Sequence, residues 1–217
     1  MDESPRATEI SSLDKSLKPE RNYSIDDIVF DLLKAHPNLK AGTEPLPSLK
    51  DSIATLPDAN AGETDAEAAI RVSALIGKQT DYECRIHNNW LIVVPRPDKQ
   101  GRFNLPGALR MCASPTVKGL QLSKFLRMVK GVRPEEPLTL GRFTFGHEPQ
   151  FPIDSKERTV PCFQLLSDIA DQLSLRCWRM SHISGENSSG KIEFPLDLDF
   201  AYVEFHRPGE IRSSRGK

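Results

Sequence analysis

The stretch from residue 65 to residue 95 most constrains the fold, because it combines a capped helix with a hairpin. Thr64 suits the N-cap position of a helix, and Glu67 follows it at the spacing of a capping box. The apolar positions that follow share one helical face: Ala68, Ala69, Val72, Leu75 and Ile76. The strand-like segments YECRI and WLIVV come next, and His87-Asn88-Asn89 between them suits a tight turn. The pattern predicts a helix that runs directly into a β-hairpin.

Other periodic segments predict both helices and strands. Ser24, with Asp27 at capping-box spacing, predicts a helix that ends before Pro37. Further helices are predicted at 117–130 and, with Thr159 as its cap, at 159–173. The segments ALRMCA, LTLGRFTFG, LRCWRMSHI, KIEFPL and LDFAYVEF predict strands. Residues 40–63 are rich in Pro and Gly and are predicted to form a long connection with one helical turn.

The helices at 65–79 and 159–173 are each followed by a strand that contains a Cys and basic residues. This order indicates either an internal duplication or the helix-then-strand succession common to any α+β chain. The predicted fold class is α+β, with two small helix-plus-β-hairpin modules (a possible pseudo-repeat) joined by a basic helical segment. The predicted boundaries are a flexible arm at 1–20, a first α+β module at 21–95, a basic connection with one helix at 96–133, a second α+β module at 134–206 and a flexible basic tail at 207–217.

The net charge of −1 conceals a basic middle of the chain. Residues 96–133 carry 9 basic and 1 acidic side chains, whereas residues 1–64 carry 7 and 12, and residues 134–206 carry 6 and 12. One interpretation is that these charges pair with Glu135, Glu136 and the acidic flanks on the folded surface. The other is an anionic partner, namely nucleic acid, an anionic membrane surface or an acidic protein face. The candidate anion-binding residues are Lys118, Lys124, Arg127, Lys130 and Arg133, and the predicted helix 117–130 would place Lys118, Gln121, Lys124 and Arg127 along one strip.

The sequence predicts no catalytic residue, cofactor site or metal site. Cys84 and His87 are three apart on a predicted strand and point to opposite faces, so they could share a metal ion only at the turn. Cys162, near a predicted helix N-terminus, is a candidate nucleophile for which the sequence selects no His partner. The four cysteines lack CxxC spacing and are predicted to be reduced and mostly buried. Trp90 and Trp178 are also predicted to be buried.

Residues 66–95, AEAAIRVSALIGKQTDYECRIHNNWLIVVP, and residues 160–180, VPCFQLLSDIADQLSLRCWRM, share a rhythm of apolar positions. This rhythm resembles the short domain at the N-terminus of secretins and TonB-dependent receptors. The resemblance implies small βαβ-type modules that bind other proteins in the bacterial envelope and perform no catalysis. In this sequence His87-Asn88-Asn89 stands where the family has Gly before its last strand, and the residues predict neither an export signal nor a downstream barrel.

The predicted function is therefore a non-enzymatic protein-interaction (adaptor) module that binds another protein. The alternative is an anion-binding protein that binds nucleic acid or an anionic membrane surface through residues 96–133. No apolar run reaches the ~18–20 residues of a transmembrane helix. The acidic N-terminal residues lack the apolar region of a signal peptide, which favours the cytoplasm. The family resemblance implies the periplasm instead, after removal of an upstream signal.

Overall fold

The structure is a computed structural model, and it describes residues 23–46, 49–53, 62–97, 105–133, 138–142, 152–182 and 200–206. The predicted arm at 1–20, the predicted tail at 207–217 and the predicted strand KIEFPL lie outside these residues. The helices are α1 (Ile25–Ala35), α2 (Asp65–Gln79), α3 (Leu122–Met128) and α4 (Cys162–Gln172). The strands are β1 (Tyr23–Ser24), β2 (Lys40–Thr43), β3 (Ser52–Ile53), β4 (Tyr82–His87), β5 (Trp90–Pro95), β6 (Met111–Ser114), β7 (Val117–Gln121), β8 (Lys130–Gly131), β9 (Thr139–Arg142), β10 (Pro152–Ser155), β11 (Arg158–Pro161), β12 (Cys177–His182) and β13 (Phe200–His206).

Local capping begins the two N-terminal helices where the sequence predicts. The hydroxyl of Thr64 accepts the Glu67 N–H at 3.3 Å, and the Glu67 carboxylate accepts the Thr64 N–H at 2.9 Å. Ser24 and Asp27 form the same reciprocal pair at the start of α1. Each box satisfies backbone donors that a helix N-terminus otherwise leaves without partners. The helix predicted at 65–79 is confirmed.

The hairpin that follows α2 is also confirmed, with a tighter turn than expected. Only Asn88 and Asn89 form the turn, with φ values of 46° and 48°, and His87 belongs to β4. Two consecutive residues with positive φ give a two-residue turn whose twist matches that of the flanking strands, and Asn adopts this conformation more readily than most residues.

The predicted fold class is wrong, because the structure is mostly β and has one large sheet. Nine strands form a mixed sheet in the order β11-β6-β8-β9-β13-β12-β2-β5-β4, beside the two-stranded sheets β1-β3 and β7-β10. The short strand β2 pairs in parallel with β12 on one side and with β5 on the other. This pairing joins the two halves of the chain in a continuous sheet, so the helices and hairpins do not form two separate modules. Residues 40–43, predicted to be part of a connection, are thus a central strand.

One strand arrangement occurs twice in the sheet. β2 is parallel to β5, and β5 is antiparallel to β4. In the same order, β9 is parallel to β13, and β13 is antiparallel to β12. Each antiparallel hairpin follows a helix, α2 in the first case and α4 in the second.

Strand pairing also shortens two predicted helices. Residues 117–121 form β7, which pairs with β10, so the helix predicted at 117–130 is reduced to α3. Residues 158–161 form β11, which pairs with β6, so α4 begins at Cys162 and Thr159 caps nothing. The pairing of β7 with β10 contains a register shift at which Gly119, with φ +61°, donates its N–H to the Asp154 carboxylate at 2.7 Å. A residue in this left-handed conformation fits the bulge of a strand better than a helix.

Two apolar clusters lie on opposite faces of the sheet. Alternate residues of β5 contribute to each, since Leu91 and Val93 pack with α1 and α2, while Trp90, Ile92 and Val94 pack with α3 and α4. The predicted burial of both tryptophans is confirmed, with Trp90 and Trp178 exposed by only 2% and 0%. No helix in the described part of the chain is long and apolar enough to cross a bilayer.

Candidate functional site

The five predicted anion-binding residues are all exposed on elements that border the larger apolar cluster. Lys118 lies on β7, Lys124 and Arg127 on α3, Lys130 on β8, and Arg133 just after β8. None of the five forms an ion pair with another described residue. Glu135 and Glu136, which were predicted as possible partners, lie outside the described residues. Within the described chain these cations therefore remain available to an external anion.

Helix α3 brings Lys124 and Arg127 together. They are three residues apart and therefore neighbours on one helical face. Phe125 and Leu126 between them are fully buried, which fixes the helix with its two cations toward solvent. Met128 follows Arg127 and is 47% exposed, so an apolar side chain borders the cations. We call Lys124, Arg127 and Met128 the α3 surface.

The other candidates do not continue the α3 surface as one strip. Lys130 lies opposite Ala113 and Thr139, whereas its neighbour Gly131 lies opposite Cys112, which is buried in the larger cluster. Successive strand residues point to opposite faces, so Lys130 points away from the cluster that α3 covers. Lys118 lies at the bulge of β7 instead of one turn before Lys124. The predicted strip along a single helix is wrong because that helix does not extend over residues 117–121.

A fully buried carboxylate, which the sequence did not reveal, lies next to the central strand. Glu44 follows β2 and is 0% exposed. Its two oxygens accept the N–H groups of Gly107 and Ala108 at 2.7 and 2.9 Å, and Oε1 lies 2.5 Å from His182 Nε2. Glu44 thus ties the 3₁₀ turn Gly107–Leu109 to the sheet. Both oxygens of the carboxylate thus have hydrogen-bond partners within the protein, as the burial of a carboxylate requires. These contacts indicate a structural role for Glu44.

The environment of Cys162, the candidate nucleophile, does not favour a thiolate. All four are unpaired, and Cys162 at the start of α4 is fully buried. Burial, together with the neighbouring Cys112 thiol, raises the pKa of Cys162 well above that of a free thiol. Burial also raises the pKa of Cys84 and of Cys177 to about 12. A nucleophilic thiol has a lowered pKa and access to solvent, whereas Cys162 and Cys177 are buried and the pKa of the partly exposed Cys84 is raised.

No described His, Cys, Asp and Glu side chains converge in a group of three that could hold a metal ion. Cys84 packs beside the cluster under α2, whereas the His87 ring meets the Phe163 ring of α4 edge-on at a centroid distance of 5.6 Å. The two residues therefore point to opposite faces of β4, as their spacing predicts.

An open cleft of about 410 Å³ lies between α4 and the turn that joins β10 to β11. Its wall is polar and charged, and two of its acidic residues are already paired. Arg158 contacts Asp168 at 2.6 Å, and Lys40 contacts Asp171 at 2.7 Å. Internally matched charges of this kind are typical of an ordinary protein surface.

Comparison with known proteins adds no assignment to this geometry. The chain matches no protein family, and no curated protein or solved structure is significantly similar to it.

Proposed function

We propose that this protein is a non-enzymatic interaction module that binds an acidic face of a partner protein through the α3 surface. The observation that carries the proposal is the pair Lys124 and Arg127, exposed side by side with no described acid to neutralise them. Residues 99–134 contain no Asp or Glu, so α3 and the segments next to it in sequence contribute a field of positive sign. Such a field attracts an oppositely charged partner and accelerates its association.

The apolar side chain within the α3 surface favours a protein partner over nucleic acid. Met and Arg are both enriched in protein interfaces, and Arg127 and Met128 are adjacent. Single-stranded nucleic acid is bound by stacking on exposed aromatic rings, and the aromatic ring of α3, Phe125, is fully buried. An anionic membrane surface is the second candidate, because an exposed Met beside two cations could also enter the headgroup region.

The test is the double charge reversal Lys124→Glu with Arg127→Glu. The matched control is Lys34→Glu with Lys50→Glu, which makes the same change of charge at exposed positions distant in sequence from α3. The probes are a polyglutamate peptide, a DNA duplex and phosphatidylserine vesicles, each titrated at two salt concentrations. We expect the peptide to bind wild type and the control, and to bind the α3 variant at least about tenfold more weakly, a difference of about 1.4 kcal/mol.

Both side chains point to solvent, so we expect the α3 variant to lose at most ~1 kcal/mol of stability. Binding to vesicles but not to the peptide would favour the membrane surface, and binding to the duplex alone would favour nucleic acid. If wild type binds none of the three probes, or if both variants bind the peptide equally, the α3 surface is not a binding site.

A further inference from the structure

Strand β4, one of the two edge strands of the nine-stranded sheet, has backbone N–H and C=O groups without hydrogen-bond partners among the described residues. The two-residue turn makes His87 and Trp90 a hydrogen-bonded pair. Hydrogen-bonded and non-hydrogen-bonded pairs alternate along an antiparallel ladder, so the backbone groups of Arg85 and Glu83 also bond to β5. Cys84 and Ile86 alternate with them and point their N–H and C=O groups away from the sheet. In the described part of the chain, nothing hydrogen-bonds to these four groups.

We call the free N–H and C=O groups of Cys84 and Ile86 the opening on β4. The neighbouring residues do not extend it. The N–H of Tyr82 donates to the Thr80 hydroxyl at 3.2 Å, and the Tyr82 C=O accepts from Arg96 Nε at 3.3 Å. At the other end, Asn88 has a left-handed conformation and leaves the strand. An added strand could therefore form a short ladder of four backbone hydrogen bonds with β4.

Helix α2 flanks this opening and adds apolar surface to it. Cys84 lies next to Ser73 on α2, whose side chain lowers the pKa of the thiol against the larger effect of burial. The chain reverses between α2 and β4. From the position of Ser73 beside Cys84 we infer that Ile70, three residues before Ser73, lies near the level of Ile86, two residues after Cys84. These two side chains are 60% and 53% exposed.

The side chains on the opposite face of β4 are charged. Glu83 and Arg85 point there and contact each other at 3.1 Å, with 51% of the Arg85 side chain exposed. An antiparallel strand beside β4 would place one of its residues directly opposite Arg85 and the second next residue opposite Glu83. The complementary choices are an acidic residue opposite Arg85 and a basic residue opposite Glu83.

We propose that β4 binds an extended peptide segment of a partner protein, which adds to the sheet as an antiparallel tenth strand. The segment alternates apolar residues, opposite Cys84 and Ile86 in the groove beside α2, with an acidic residue opposite Arg85. Backbone hydrogen bonds supply the binding, and the side chains on the two faces select the sequence. This site is separate from the α3 surface, so each binding test can fail while the other succeeds.

A second copy of the chain fits this edge poorly. A twofold pair that sets Cys84 against Ile86 of the other copy would place the two Arg85 side chains directly opposite each other. A pair that sets Cys84 against Cys84 of the other copy would also set Ile86 against Tyr82. The N–H and C=O groups of Tyr82 would then have to bond to the other copy, but they already bond to Thr80 and Arg96. Setting Ile86 against its counterpart would bring Cys84 opposite Asn88, which has left the strand. The heterologous peptide has none of these conflicts.

The probe is the synthetic peptide threonine-valine-glutamate-valine-lysine-valine-threonine, which in antiparallel register places its glutamate opposite Arg85 and its lysine opposite Glu83. We expect saturable binding to the full chain, with at least about tenfold slower hydrogen exchange at the amides of Cys84 and Ile86. A peptide with glutamate and lysine exchanged should bind at least about fivefold more weakly, because like charges then lie opposite each other. A peptide N-methylated at the valines that flank its glutamate should not bind.

The matched protein variants are Ile86→Pro and Ile86→Val. Proline is tolerated on a sheet edge when its nitrogen faces outward, and it removes one of the donors that bind the peptide. We therefore expect Ile86→Pro to lose binding and Ile86→Val to keep it within about twofold. If Ile86→Pro does not fold, the N-methylated peptide tests the same hydrogen bonds on the wild-type chain. Undetectable binding at about 1 mM peptide, protection at other amides only, or a wild-type dimer paired through β4 would overturn the proposal.

Discussion

The substitution Gly42→Ala should destabilise the protein strongly, because the central strand β2 passes directly under a buried indole. A Cβ at residue 42 would lie 2.1 Å from Cζ2 and 2.2 Å from Cε2 of Trp178. The indole has no room to move away, since Trp178 is 0% exposed and its Nε1 donates to the Ser167 hydroxyl at 3.2 Å. Strand β2 is hydrogen-bonded on both sides and cannot shift alone. Overpacking of this kind costs typically ~1–3 kcal/mol, and we expect a loss of about 3 kcal/mol or more.

The same substitution at Gly77 in α2 is the matched control. No atom lies within 4 Å of the added Cβ, and alanine is a better helix former than glycine. Gly77→Ala should therefore increase the free energy of unfolding by about 0.5–1 kcal/mol. One chemical change thus has opposite expected signs at two positions.

Urea unfolding of the three proteins measures both effects, and thermal unfolding provides a second measurement. A loss of about 3 kcal/mol corresponds to a decrease in Tm of roughly 6–12 °C for a chain of this length. If Gly42→Ala changes the free energy of unfolding by less than about 0.5 kcal/mol, then Trp178 does not pack against β2 as described.

Two further predictions concern buried polar groups. Glu44→Ala should decrease the free energy of unfolding by about 3 kcal/mol, because it removes the acceptor of two buried backbone N–H groups and the contact with His182. Glu44→Gln keeps one acceptor oxygen and should lose less stability. Equal losses in urea unfolding would contradict this structural role. Burial raises the pKa of Cys177 and of Tyr82 to about 12, above their ordinary values of 9.0 and 10.0, so the folded state holds protons that the unfolded chain releases. Their contribution to stability is complete below about pH 9 and should be lost as the pH rises toward 12. Tm measured across this range should fall, less steeply in Cys177→Ala, and equal slopes in both proteins would contradict the assignment.

The elements that could be predicted from the sequence are those set by neighbouring residues. Helix α2 and the β4–β5 hairpin depend on a capping box, an apolar stripe and two asparagines, and all of these lie within about 30 residues. The start of α1 at Ser24 has the same local origin. Each signal is completed within one helix or one hairpin, so no distant partner changes the result.

The errors arise where a distant strand decides the conformation. Residues 117–121 and 158–161 each precede a helical apolar pattern, and their partners lie about 30 or more residues away. Pairing draws both segments out of the predicted helices, and Gly119 already weakened the case for a helix there. Strand β2 is only four residues long, KAGT, and neither its length nor its composition indicates a place in the interior of a sheet.

For the candidate sites, too, only the features set by neighbouring residues could be predicted. A run of basic residues indicates surface position, and all five candidates are exposed. Which of them lie together depends on the β7 and β8 pairings, which the sequence did not reveal. The opening on β4 could not be predicted either, because a hairpin sequence does not tell which of its strands will lie at the edge of a larger sheet.

The parallel pairing of β2 with β12 has a consequence for how this chain acquires its structure. Ala41 lies opposite Cys177, 136 positions further along the chain. During synthesis, one side of β2 stays unpaired until β12 has been made, although its other neighbour, β5, is made early. Arg176 then closes the junction by donating to the carbonyls of Leu33, His36 and Leu39. Contacts this distant carry a large loop-closure cost and slow the search for the native state, so we expect folding on a timescale of milliseconds to seconds, well after α2 and the β4–β5 hairpin have formed.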